Sequence, residues 1–139
     1  MLQEAIAVKN PFAVFGPWQD VDVAASQTDV QLLLCATGPD GIVMPKAGWI
    51  VGLFWTLSAA GSAGALSIGA TIDGVEKTAT TQAITTAAEG HAEFKTKDVA
   101  PRFAAGEQIG SEITTDGSWN GTTSDLAVFL AVVFEDWEM

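Results

Sequence analysis

The chain predicts an all-β fold, an antiparallel β-sandwich. Three observations carry this reading. Apolar and β-branched residues recur with period two from about Thr28 onward, and glycine-containing turns interrupt them at short intervals. Helical evidence is confined to Thr85–Glu93, where threonines and a glycine argue against more than one turn. A length of 139 residues suits one domain with one core, and the turn spacing suits seven or eight short strands.

Each strand has its own signal. Thr28–Cys35 alternates Val30, Leu32 and Leu34 against Gln31 and Leu33, and Thr37-Gly38-Pro39-Asp40-Gly41 then supplies a turn. Ala47–Ser58 places Trp49, Val51, Leu53, Trp55 and Leu57 on one face and Ile50, Phe54 and Thr56 on the other. After a small-residue loop, Ala65–Ile72 alternates apolar residues with Ser67, Gly69 and Thr71. Asp73-Gly74 follows at once, a pair suited to a tight hairpin because both residues tolerate positive φ, and Val75–Thr78 is expected to pair back. Thr80–Thr86, Ala92–Asp98 and Glu107–Thr115 read as further strands, and Asp116–Gly121 as a loop. Ser124–Glu135 closes the fold. Residues 1–27 form either an extended arm or one or two edge strands, because Asn10-Pro11 and Gly16-Pro17 restrict the backbone between short apolar stretches. Residues 28–139 form the sandwich.

Composition excludes several function classes. Seventeen acids against six bases give a net charge of −11, which repels phosphate backbones and anionic membranes, and no basic cluster exceeds Lys95-Thr96-Lys97. Neither nucleic acid nor membrane is an expected partner. The N-terminal Met1–Lys9 lacks a basic start followed by a long apolar stretch, which predicts folding in a cytoplasm. Cys35, the only cysteine, is expected to be a buried structural thiol.

Catalytic chemistry finds little support. The single histidine, His91, lies in a polar, glycine-flanked stretch with no matching nucleophile motif. Asp20 with Asp22, and Glu135 with Asp136, are the nearest carboxylate pairs, and they fall at strand edges or a terminus. No loop offers the several carboxylates that calcium needs. No catalytic, cofactor-binding or metal residues are therefore assigned, and no cofactor is expected. Among five tryptophans, Trp49 and Trp55 read as core, whereas Trp18, Trp119 and Trp137 fall in the arm, a loop and the tail. A loop aromatic can stack on a sugar ring, so Trp119 and Asn120 are a candidate glycan or partner contact, with packing as the alternative.

The strongest functional signal lies in two strands that are apolar on both faces. A sandwich strand normally turns one face to the core and one to water. Leu126, Val128, Leu130, Val132 and Phe134 fill one face of the closing strand, yet Ala127, Phe129, Ala131 and Val133 make the other face apolar too. Something must cover that face: another copy of the chain, or the N-terminal 27 residues folded back. Ile50, Phe54, Phe129 and Val133 are the expected oligomer interface.

The segments Met44–Leu53, Leu66–Ile72 with its Asp73-Gly74 hairpin, Phe103–Gly110 and Ser124–Phe134 together resemble the trimeric jelly rolls of tailed-bacteriophage particles, which are similar to the tumour necrosis factor-like fold. The likeness spans about Thr28–Glu135 and is one of pattern. It implies a jelly-roll homotrimer in the virion, either a capsid decoration (cement) protein bound to the major capsid protein of the shell or a receptor-binding fibre knob recognising host glycans. A knob normally ends a long shaft, and only about 27 residues precede the sandwich, which favours decoration. Phe12, Phe15 and Trp18 are then expected to be capsid contacts of the arm.

Overall fold

The computed structural model describes residues 12–84, 88–96 and 98–135. It is a sandwich of two antiparallel sheets, and among the described residues there is no α-helix, only one 3-10 turn at Thr78–Thr80. The first sheet contains β1 (Phe12–Asp20), β3 (Leu33–Leu34), β5 (Gly48–Leu57), β9 (Glu89–Glu93), β10 (Arg102–Phe103) and β12 (Leu126–Phe134). The second contains β2 (Val30–Gln31), β4 (Ile42–Val43), β6 (Leu66–Ile72), β7 (Val75–Glu76), β8 (Gln82–Ala83) and β11 (Gln108–Thr115). Across the first sheet the order is β10-β5-β12-β1-β3, with β9 also on β5; across the second it is β2-β11-β6-β7, with β4 on β11 and β8 on β6.

The core lies between the sheets. Leu126, Val128, Leu130, Val132 and Phe134 point into it as their alternation requires, each at most 7% exposed. From the second sheet come Leu66, Ile68, Ala70, Ile72, Ile109 and Ile113, all buried. Phe103 meets Phe134 edge to face at 6.1 Å, a geometry that sets one ring's positive edge on the other's negative face.

β5 departs from strict alternation. Its ladder with β12 runs Leu57↔Leu126 to Gly52↔Ala131 and then resumes at Ile50↔Val132, leaving Val51 as an extra residue. This β-bulge exchanges the two faces of the strand beyond it. Leu53, Trp55 and Leu57 point inward as expected, but Ile50 is turned into the core and is fully buried, while Trp49 and Val51 are only half-buried. Ile50 is therefore a core residue and leaves the expected oligomer interface.

Two other departures are local. Thr28–Cys35 is not one strand but two, β2 in the second sheet and β3 in the first, with Leu32 buried between them and its N–H bonded to the Ser111 carbonyl at 2.9 Å. Beyond them Cys35 and Ala36 adopt φ of 52° and 66°, a turn that leaves the Cys35 thiol exposed rather than buried. The expected strand at Ala92–Asp98 lies earlier in the chain, at Glu89–Glu93. The Asp73-Gly74 hairpin forms as read, with φ of 51° and 78° at its two residues and β6 pairing with β7.

From residue 12 on, the N-terminal segment is part of the sheet. β1 lies in register against β12 from Phe12↔Val133 to Asp20↔Leu126, with an irregularity at the cis Gly16-Pro17 bond. From residue 12 to 27 the segment extends the sheet sideways and does not fold over its outer face; residues 1–11 of the expected arm lie outside the described residues. Trp18 is fully buried and its Nε1 donates to the Asp40 carbonyl at 3.2 Å, so it is a core residue and not a contact of an arm. Phe15 also faces inward and packs against the core, whereas Phe12 is 64% exposed. Trp18→Ala is expected to cost about 3–5 kcal/mol of unfolding free energy and Phe12→Ala no more than about 0.5 kcal/mol, both measured by urea denaturation. Equal losses would mean that β1 is misplaced.

Candidate functional site

Two surface features stand out, one on the outer face of each sheet. On the first sheet the face is built in rows by the register of four strands. Phe12, Val133 and Trp49 form one row; Val14, Ala131, Gly52 and Glu93 the next; Phe129, Phe54 and His91 a third; Gln19, Ala127, Thr56 and Glu89 the last. Phe54 and Phe129 stack at 5.6 Å with their planes 11° apart. Phe129 also lies over Gly16, whose φ of 137° and lack of a side chain admit the ring, since a Cβ there would sit 3.0 Å from it. The third row is thus a ridge. The second is low, because Gly52 and Ala131 are small and buried.

That step in height makes a groove of about 530 Å³, bordered by Phe12, Val51, Phe54, His91, Glu93 and Lys95. Charges on and beside this face are paired. Lys95 pairs with Glu93 at 3.2 Å, and Arg102 pairs with Glu135 while its guanidinium lies 5.9 Å from the centre of the Trp49 ring. Phe54, Phe129 and Val133 occupy this outer face as expected. Val51, Trp49, Phe12 and Val14 complete it. The sequence hid Trp49 and Val51 because the bulge that turns them outward leaves no mark in the hydrophobic pattern.

The second sheet carries a polar face. Asp29, Glu76 and Glu112 bring carboxylate oxygens within 4.8 Å of one another. Glu112 sits mid-strand on β11 and is only 4% exposed; one of its oxygens accepts from Gln31 Nε2 at 2.9 Å. Thr114 Oγ1 donates to Asp29 at 3.2 Å, and Thr81 Oγ1 donates to Glu76. Gly69 gives Glu76 room to lie across the sheet, since a Cβ there would stand 2.4 Å from its carboxylate. Burial, a hydrogen bond that the protonated Glu112 carboxyl donates to Glu76, and the charges of Glu76 and Asp29 push the Glu112 carboxyl up to about 7, against a smaller opposing effect of Gln31. Such a trio can share a proton or hold a hard cation. Sequence reading missed it because the three residues come from separate elements, far apart along the chain, and no single loop contains them.

The loop site expected around Trp119 and Asn120 is a packing device. Trp119 is 2% exposed, its Nε1 donates to the Val23 carbonyl at 3.1 Å, and Gly61, Gly64 and Gly121 enclose it so closely that a Cβ on any of them would overlap the residue. The indole has no face left to stack on a sugar. Asn120 is exposed, but its Oδ1 accepts from the backbone N–H groups of Ser62 and Ala63 at 3.0 and 3.1 Å, and its Nδ2 donates to Ser62 Oγ at 2.7 Å, so its amide latches two loops together. Gly121, two residues beyond Trp119, was the available sequence signal. His91 is exposed on β9, with none of the described histidine, cysteine or acidic residues grouped around it as metal ligands.

No protein-family model and no curated protein matches this sequence.

The Glu112 carboxyl gives a pH prediction. Its native value near 7 lies above its ordinary 4.5, so between those values the folded chain binds more protons than the unfolded one. Stability is then highest below about pH 4.5 for this group, and it falls as pH rises through 7. Glu112→Gln removes the titrating group and keeps a side chain of equal size. Thermal melts are expected to show the substitution raising stability at pH 8 relative to pH 5; an unchanged pH profile would mean that Glu112 ionises freely in the fold.

Proposed function

We propose that this protein is a structural, non-enzymatic component of a virus particle, a capsid decoration protein that binds and stabilises the head shell of a tailed bacteriophage as a homotrimer. The observation that carries this reading is the outer face of the first sheet, where Phe54, Phe129, Val51, Val133 and Trp49 are packed as an ordered apolar surface and Phe12 and Val14 extend it into solvent. Monomeric proteins rarely leave a contiguous patch of this kind uncovered. The placement of β12 between β5 and β1, the last described strand beside the first, supports a jelly roll, because Greek-key connections return a late strand to lie beside an early one.

The surfaces suit such a role in another way. The excess acid keeps a sticky component dispersed until it docks, since like-charged particles repel at long range and only short-range apolar contact overcomes that. With Trp18 buried and Phe15 half-buried against the core, Phe12 is the most exposed of the three expected arm contacts. Phage heads assembled without the protein provide the test. Purified protein added to them is expected to sediment with the shells at saturable stoichiometry and to raise the temperature at which they break. Shells that stay bare at saturating protein would sink the reading.

A further inference from the structure

We infer that Thr71 and Gln31 join covalently, the threonine oxygen displacing ammonia from the side-chain amide to leave an ester that ties β2 to β6 across β11. The chain performs this modification once, on itself, and it does not depend on what the first sheet binds.

Register brings the two residues together. β11 lies between β2 and β6, with Gln31 opposite Glu112 on one side and Thr71 opposite Gly110 on the other. Gln31 reaches diagonally over Gly110 to Thr71, whose Oγ1 stands 3.4 Å from the amide oxygen Oε1. Only glycine leaves that path open, since a Cβ at position 110 would lie 2.9 Å from Thr71 Oγ1. The contact is longer than a strong hydroxyl hydrogen bond, so the oxygen rests against the amide without being tied up by it. A hydroxyl held against an amide of its own chain needs no bimolecular encounter, which removes much of the barrier to a slow reaction.

The amide itself is fixed at its nitrogen. Gln31 Nε2 donates to the Glu112 carboxylate at 2.9 Å and to the Gly74 carbonyl at 3.3 Å. Glu112 is 4% exposed, and burial together with the neighbouring Glu76 and Asp29 favours its protonated form. A carboxyl that titrates near neutrality and touches the leaving nitrogen can give a proton there and take one back.

The step then balances. Thr71 Oγ1 adds to Gln31 Cδ and its proton passes to Oε1, giving a neutral tetrahedral carbon. Glu112 protonates Nε2, the Cδ–Nε2 bond breaks with its electron pair on nitrogen, and the Oε1 proton goes to Glu112 as the carbonyl re-forms. An Oγ1–Cδ bond has replaced the Cδ–Nε2 bond, ammonia has left, and Glu112 ends as it began. Both residues border a cleft of about 320 Å³, whose open side lets ammonia escape. Thr71 is 1% exposed, which shelters the ester oxygen from hydrolysis. The product pins β2, a two-residue strand at the edge of its sheet, and restricts the unfolded chain as a disulfide does.

Intact-mass spectrometry of the purified full chain, followed during incubation at neutral pH, reads the reaction. The wild type is expected to become lighter by one ammonia, about 17 Da, and its protease digest to contain one peptide pair joined through Gln31 and Thr71. Hydroxylamine at mildly alkaline pH is expected to separate that pair, as it does esters. Thr71→Val keeps the shape of the side chain and removes the nucleophile, so it is expected to hold its full mass, while Thr71→Ser is expected to lose ammonia again. Gln31→Met, at a half-buried position, is expected to hold its full mass too. Glu112→Gln is expected to slow the loss by about 100-fold or more. A wild type that keeps its full mass overturns the inference, as does an ammonia loss that persists in both Thr71→Val and Gln31→Met, which would place it elsewhere in the chain. A joined pair that forms equally fast in Glu112→Gln overturns the part given to the carboxyl.

Discussion

β12 is the strand on which the structure depends. It is hydrogen-bonded along almost its whole length to β5 on one side and to β1 on the other, so its nine residues tie the first sheet together. Five of its side chains enter the core, and those between them fill the outer face. A strand in the middle of a sheet has no free backbone groups to hydrate, which leaves side chains to determine what each surface can do. Here they make one surface a core and the other an apolar exterior, so the demands of folding and of association meet in one segment.

Bulges adjust that arrangement without altering the pairing. In β5, the extra residue Val51 lets Ile50 fill the core beneath Val132 while Trp49 joins the exterior beside Val133 and receives Arg102 over its ring. In β1, the irregularity between Phe15 and Trp18 keeps both aromatics inward where strict alternation would have separated them. Each places a large side chain where the packing has room for it. In both cases the cost is a local break in the ladder, and the return is burial of an aromatic or aliphatic side chain.

What could be read from the sequence follows from which interactions are local. Alternation along β12 identified its inward and outward residues because nothing interrupts the period of two, and the Asp73-Gly74 hairpin was legible because its φ values are a property of those two residues. The turn of Ile50 inward was not legible, since a bulge depends on how the partner strand packs. Trp119 looked like a loop aromatic because its sequence neighbours are polar, yet its cage is made by Gly61 and Gly64 from another loop and by the Val23 carbonyl. The carboxylate trio was hidden for the same reason: its members meet only after the residue before β2, β11 and, across β6, β7 have been brought into one sheet.

The central place of β12 also bears on how the chain is made. Vectorial synthesis delivers β1 and β5 well before β12, which follows β5 by more than sixty residues. Until it arrives, β1 has no partner along Phe12–Phe15 and β5 lacks the neighbour that covers one of its edges, so the growing polypeptide holds two apolar ribbons apart. Such late, long-range closure is slow and leaves nascent chains prone to mispairing with one another. Crowded polysomes would then favour aggregation over assembly, and the abundance of carboxylates along the chain opposes this by keeping unfinished neighbours apart.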